Sequence, residues 1–339
     1  MIRLSVLDQS PIRSGGSAAD AIRETLDLAV LAERLGYHRY WLAEHHSTPS
    51  LAGSSPEILI GQVAARTSKI RVGSGGVMLS HYSPFKVAEN FRVLETLFPG
   101  RIDLGIGRAP GSDQLTARAL QPGSTPRSIE QFPYQVADLI DFVRDTVPSE
   151  HEFSAIRAMP AGPTAPDVWL LGSTAESASY AAHFGTAFSF AHFINDRGGD
   201  KVVRAYAEAF RPSAALPKPV ANVAVHVICA DTEEWAVRLG KCRSLATARL
   251  YTGQRAPFPS VEEAESHQYT QQELAIIEHT RGRTIVGTPD RVRTGVTELA
   301  ERYGVDEVIA VTICHRWEDR VRSYELLASA MGLPATPGD

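Results

Sequence analysis

Residues 4–16, LSVLDQSPIRSGG, open on a short apolar strand, 4–7, and leave it through Asp8, Gln9, Ser10 and Pro11. A doubly wound nucleotide-binding sheet carries G-x-G-x-x-G at that first turn, because a pyrophosphate must approach the backbone there. No such pattern follows this strand, and the later Gly105-Ile106-Gly107-Arg108 matches only its beginning. Beyond the turn, β-rich runs alternate with amphipathic helical runs, the pattern of a parallel sheet with crossover helices. Strands are expected at 4–7, 38–43, 70–77, 102–106, 168–171, 187–190, 220–229 and 307–312. In the first helix Ile22, Leu26, Ala29 and Val30 share a face, and Gly36 stands where a C-terminal cap belongs. A second helix opens at Pro56 behind Ser54 or Ser55, and others are expected at 84–98, 134–146, 174–184, 231–250, 289–303 and 317–331. Eight β/α units fit a (β/α)8 TIM barrel, one domain over 1–339, better than an open sheet. Two long connections, 109–127 and 252–284, interrupt the alternation, and the second is read as a lid-like insertion.

With 43% hydrophobic and 22% charged residues over 339 positions, the chain has a soluble globular composition and can bury a large core. The cysteines, Cys229, Cys242 and Cys314, are odd in number and widely spaced, which argues against a disulfide framework or a CxxC zinc site. A net charge of −5 disfavours a nucleic-acid or anionic-membrane surface. No run of 18 apolar residues is present, and the N-terminus reads as a strand, not a signal peptide. A cytoplasmic location is the default expectation.

In a TIM barrel the active site lies at the C-terminal ends of the strands, so polar residues there have priority. The second strand runs into Glu44-His45-His46. Neighbours on an extended chain point opposite ways, so the two imidazoles are expected not to share one pocket. Proton transfer and an ordinary hydrogen-bonded loop are both open readings; zinc needs three convergent ligands, and no HExxH or HxH pattern supplies them. The third strand, RVGSGGVMLS (71–80), carries Gly73, Gly75 and Gly76, a cost unless a planar cofactor or a barrel bulge needs close backbone approach. Arg108 follows the fourth strand, where a guanidinium suits phosphate or a structural salt bridge. The fifth strand enters a helix through Gly172-Ser173-Thr174, a start that suits an anion or an ordinary N-cap.

Taken in order, WLAEHH (41–46), GSGGVMLSHYSPFKVAENFRVLETLFPGRIDLGIGRAPGSD (73–113), WLLGST (169–174) and IVGTPDRV (285–292) resemble the bacterial luciferase-like family of flavin-dependent monooxygenases. The resemblance spans the chain, is poor over 252–284, and points to the luciferase-like oxidoreductase branch, not a light-emitting subunit. It implies that His45 sits beside the reactive edge of the flavin as the catalytic acid/base, with Glu44 and His46 as supports. It implies a cis peptide under the ring at Gly75-Gly76, where luciferase has alanines. It places the FMN phosphate on Arg108 and on Gly172, Ser173, Thr174 and Ser177. Two departures stand out: luciferase has a glutamate at the position of Gly172 and a cysteine at that of Gly107. The implied reaction takes reduced FMN and O2 through a flavin C4a-hydroperoxide to an oxygenated small organic substrate. His81 and Tyr82 would line the substrate pocket, and the imidazole of His45 would titrate near neutrality. With no nicotinamide fingerprint in the chain, a separate flavin reductase is the expected partner, and the resemblance implies a homodimer. The alternatives are an F420-dependent hydride-transfer enzyme on the same barrel, a zinc hydrolase around His45 and His46, and a flavin-binding relative without turnover.

Overall fold

The computed structural model describes residues 2–108, 113–121 and 129–335. The first half runs β1 (Arg3–Asp8), α1 (Ala18–Arg34), β2 (Arg39–Leu42), α2 (Pro56–Arg66), β3 (Arg71–Ser74), β4 (Val77–Met78), α3 (Pro84–Leu97), β5 (Ile102–Gly107), α4 (Gln114–Leu120) and α5 (Phe132–Arg144). There follow β6 (Asp167–Gly172), α6 (Ala175–Phe184), β7 (Ala187–Ala191), α7 (Gly199–Ala209), β8 (Ala221–Cys229) and α8 (Glu233–Tyr251). The chain ends with α9 (Val261–Ser266), α10 (Gln271–Thr280), β9 (Thr284–Gly287), α11 (Pro289–Tyr303), β10 (Glu307–Val311) and α12 (Trp317–Met331). Every strand pairing is parallel, and β10 bonds to both β1 and β8, which closes an eight-stranded TIM-type barrel.

Period-2 alternation builds two apolar layers. Outward residues such as Val6, Tyr40, Leu42, Val72, Leu104 and Val225 pack against the helices. Inward residues fill the barrel, with Leu7, Trp41, Trp169 and Ile309 in one cluster and the two indoles edge to face at 5.2 Å. Below them Arg39 bridges Asp103 (2.8 Å) and Glu307 (2.9 Å) and lies over the Trp169 ring. This filling explains Gly73 of β3 and Gly75 just beyond its end. A Cβ on Gly73 would meet the Asp103 backbone at 2.4 Å, and one on Gly75 would meet Leu7 Cδ1 at 2.5 Å.

The eight strands expected from the sequence are the barrel strands, with two changes. The 70–77 run breaks at Gly75-Gly76 into β3 and β4. A further strand, β9, pairs with His226–Cys229 of β8, beyond the point where β7 has ended. The 252–284 segment is therefore not a structureless connection. It carries α9, whose Val261 and Ala264 pack with Ala236 and Leu239 of α8, and α10, also against α8. Helix ends follow local chemistry. Ser17 and Asp20 form a capping box on α1, and Gly36 follows with φ +84°. Much of the expected 109–127 connection lies outside the described residues, with α4 inside it. The three cysteines are buried and unpaired. Among the described residues no helix is long and apolar enough to cross a membrane.

Candidate active site

β2 delivers Glu44 to the C-terminal rim of the barrel, where the carboxylate is 2% exposed. It accepts hydrogen bonds from the Met78 amide (3.0 Å) and the Tyr82 hydroxyl (2.7 Å), and its Oε1 lies 2.7 Å from His46 Nε2. Glu44 thus ties β4 and the turn after it to the end of β2. His45 leaves the chain on the other side, its amide donating to Gly53 O at 2.8 Å. Its ring lines the main cavity, and its Nδ1 is sealed from solvent without a partner. Burial, with the neighbouring His46 as a smaller cause, pushes the His45 pKa down to about 4. The expectation of titration near neutrality is corrected: Glu44 is turned to His46, and burial lowers the His45 pKa, which favours the neutral ring at neutral pH. His46 lines the same cavity, contrary to the expectation from alternation. The chain turns at Ser47, whose φ is +50°, and the cavity follows it round.

The Gly75-Gly76 peptide is cis. The Gly75 amide donates to Leu42 O at 2.8 Å, and a Cβ on Gly76 would strike Gly105 O at 2.6 Å. His81 is buried with its Nδ1 3.3 Å from Gln121 Nε2, and Tyr82 is drawn to Glu44; neither borders the cavity.

A second corner forms where β5 and β6 end. Arg108 is ion-paired with Glu176, in the first turn of α6. Thr174 caps that helix, accepting from the Ser177 amide at 3.4 Å, while Asn195 donates to Ser173 O at 3.1 Å. Gly172 packs on Ser177, whose Oγ would lie 2.3 Å from a Cβ placed there. Arg108, Gly172, Ser173, Thr174 and Ser177 are therefore brought together, but outside the lining of the main cavity.

That cavity, about 1000 Å³, lies between the loop after β2, the end of β8, α8 and α10. Its lining includes His226, Arg243, Tyr251 and Arg283, none of which the sequence reading singled out. His226 left a signal: it is the one imidazole inside the apolar strand ANVAVHVIC, at the inward period. Arg243, one of several charged residues along α8, left none. Among the described residues no three His, Cys, Asp or Glu side chains are grouped to hold a metal ion.

Burial lowers the pKa of His38, His45, His192 and His226 below the usual 6.5. The unfolded chain then takes up protons that the folded state refuses, so their contribution is complete above pH about 6.5 and is lost as pH falls through the lowered folded-state values, about 4 for His45. The urea midpoint should be lower at about pH 5 than at about pH 7.5; an equal or higher midpoint at the acid value would contradict the assignment.

A closed parallel barrel with polar groups gathered at its C-terminal rim is the architecture of a barrel enzyme. The luciferase-like monooxygenase family model matches residues 2–307, and the chain belongs to that family. It is 41% identical to N-acetyl-S-alkylcysteine monooxygenase of Bacillus subtilis (strain 168) over 335 residues, 98% of each chain. It is 39% identical to the luciferase-like monooxygenase of Escherichia coli (strain K12), over 96% of both. Among solved structures, apo-MsnO8 superposes with a TM-score of 0.91 at 38% identity, covering 99% of this chain and 100% of that one. The protein is accordingly an oxidoreductase of the monooxygenase type.

Proposed function

We propose that this monooxygenase uses FMN, reduced by a separate reductase, and O2 to oxygenate a small organic molecule. One observation carries the reading: Arg108 stands at the capped start of α6, beside Gly172-Ser173-Thr174. The first amides of any α-helix lack partners within it, and Thr174 takes only that of Ser177. A guanidinium next to such amides suits a phosphate monoester, and Arg108 already holds a carboxylate oxygen of Glu176. At about 1000 Å³ the neighbouring cavity is at the upper end of small-molecule sites, which span roughly 300–1000 Å³.

Reduced FMN, when bound, would supply the electrons that activate O2. The remaining work belongs to this chain. Arg108, Ser173, Thr174, Ser177 and the Gly172 backbone would hold the phosphate, and Gly75-Gly76 would let the ring approach the barrel. His45, neutral in its pocket, would hold or move a proton at the reacting atoms. Glu44 and His46 keep the rim in place through Met78 and Tyr82. The 252–284 segment would cover the cavity and exclude water, with Arg255 reaching across to Ser47 O (3.1 Å) and Asp113 (2.8 Å). The Bacillus relative's name makes N-acetyl-S-alkylcysteines reasonable first substrates to assay.

Fluorescence titration with FMN and with F420, then O2 uptake with an added flavin reductase, tests the proposal. FMN binding with substrate-dependent uptake supports it; preference for F420 without uptake would replace it with hydride transfer. Arg108→Ala should weaken FMN binding by about 1–3 kcal/mol, the scale of a lost charged hydrogen bond. An unchanged titration would remove Arg108 from the site.

A further inference from the structure

The cavity that His45 lines also holds a cation, Arg243, that no carboxylate among the described residues neutralises. Among the described residues Arg243, on α8, makes one side-chain polar contact: a short hydrogen bond from its guanidinium to His226 Nε2. The other imidazole nitrogen, Nδ1, lies 3.2 Å from Val311 O and so carries the proton, leaving Nε2 as a neutral acceptor. Among the described residues no carboxylate pairs with Arg243, and its Nε is sealed from solvent with no partner. Burial pulls its pKa down to about 10, with Arg283 adding repulsion and Tyr251 opposing it.

The other cations on the lining differ. Arg249 is paired with Glu263, Arg255 with Asp113, Arg283 with Asp196 and Arg291 with Glu233. Arg283 also donates to the Tyr251 hydroxyl at 2.6 Å, so a phenol and a second guanidinium stand close to Arg243. Burying an unpaired charge costs several kcal/mol unless a partner arrives. Around this corner Phe193, Val286 and Ile313 supply apolar wall. Arg108 and the α6 start lie outside this lining, so a flavin phosphate held there, as proposed above, would leave Arg243 to another anion.

We infer that the substrate of this monooxygenase carries a single negative charge of carboxylate type, and that Arg243 binds it at the wall of the cavity that His45 also lines. The inference rests on the monooxygenase reading of the same cavity and adds the chemical class of its substrate. Tyr251 and Arg283 stand by as further donors, and His226 is the positioning residue that holds the guanidinium in place. The apolar remainder of the molecule then extends along Phe193 toward His45.

The probes are hexanoate and its neutral isostere hexanamide, titrated calorimetrically into the purified full-length protein. Hexanoate should bind about tenfold tighter, the scale of one charge-assisted pair. In Arg243→Gln that preference should vanish, in Arg243→Lys it should survive in part, and FMN should titrate unchanged in both. Since the glutamine removes a half-buried charge with no carboxylate partner among the described residues, that variant should melt no lower than the native protein. Equal binding of the two probes by the native protein would overturn the inference. So would a preference that persists in Arg243→Gln, or a lower melting temperature with the preference intact. Loss of FMN binding in Arg243→Gln would give the cation to the cofactor and also overturn it. Failure of the native protein to bind FMN would defeat the cofactor proposal alone, because the hexanoate comparison reads Arg243 independently.

Discussion

Replacing His45 with alanine is expected to slow oxygenation by roughly 10²- to 10⁴-fold, the range for a removed proton-transfer group, while FMN affinity stays native. The expectation follows from where the imidazole lies. It borders the cavity, its Nδ1 is enclosed without a partner, and among the described residues its hydrogen bond is the one its amide donates to Gly53 O. Such a ring contributes little to packing, so its loss should be felt in turnover and not in folding. Because burial holds it neutral, with a pKa pushed down to about 4, the native rate should show no inflection from this residue between about pH 6 and pH 8. Steady-state O2 uptake with a reductase, set beside a flavin titration, separates the two quantities. A variant that oxygenates at the native rate would remove His45 from the chemistry.

A second large effect should come from Asp103→Ala, measured as the urea midpoint. Asp103 is fully buried inside the barrel and accepts from Arg39 Nη1 (2.8 Å), Trp41 Nε1 (2.9 Å) and Arg71 Nη2 (2.5 Å). Alanine would leave Arg39 with Glu307 alone and an indole N–H unsatisfied in a dry interior. Breaking a buried pair from one side costs about 3–5 kcal/mol. Asp103→Asn keeps one acceptor and should lose less. If the alanine variant unfolds within about 1 kcal/mol of the native protein, the barrel floor is not held by this network.

The strands were legible because each barrel segment buries both faces, leaving short apolar runs of the right length between helical patterns. What escaped was short or distant. β9 has four residues, TIVG, attached to the upper half of a strand that already had partners. The sequence showed Glu44, His45 and His46 as a cluster, but not that the carboxylate would turn to His46 and leave the His45 ring lining the cavity. Arg108 and the start of α6 lie 68 positions apart, as numbered from Arg108 to Glu176, and only the β5–β6 pairing brings them together. His226 was visible as an imidazole inside an apolar strand, but its meeting with Arg243 depends on how α8 folds back over β8. Periodicity reports burial; it does not report which polar groups share a cavity.

The two ends of the chain are fastened to each other inside the molecule. Arg320 of α12 reaches Asp8 of β1 at 2.7 Å, both fully buried, and the Tyr40 hydroxyl binds the same carboxylate. The partners are 312 positions apart, so almost the whole polypeptide must be made before the pair can form. During synthesis the first strand therefore waits with a buried-type acid and no counterion, and its barrel seat opens only when the last helix arrives. Trimming the C-terminal helix would then strand a charge at the opposite terminus, and the loss would be felt by the entire barrel, not just at its edge.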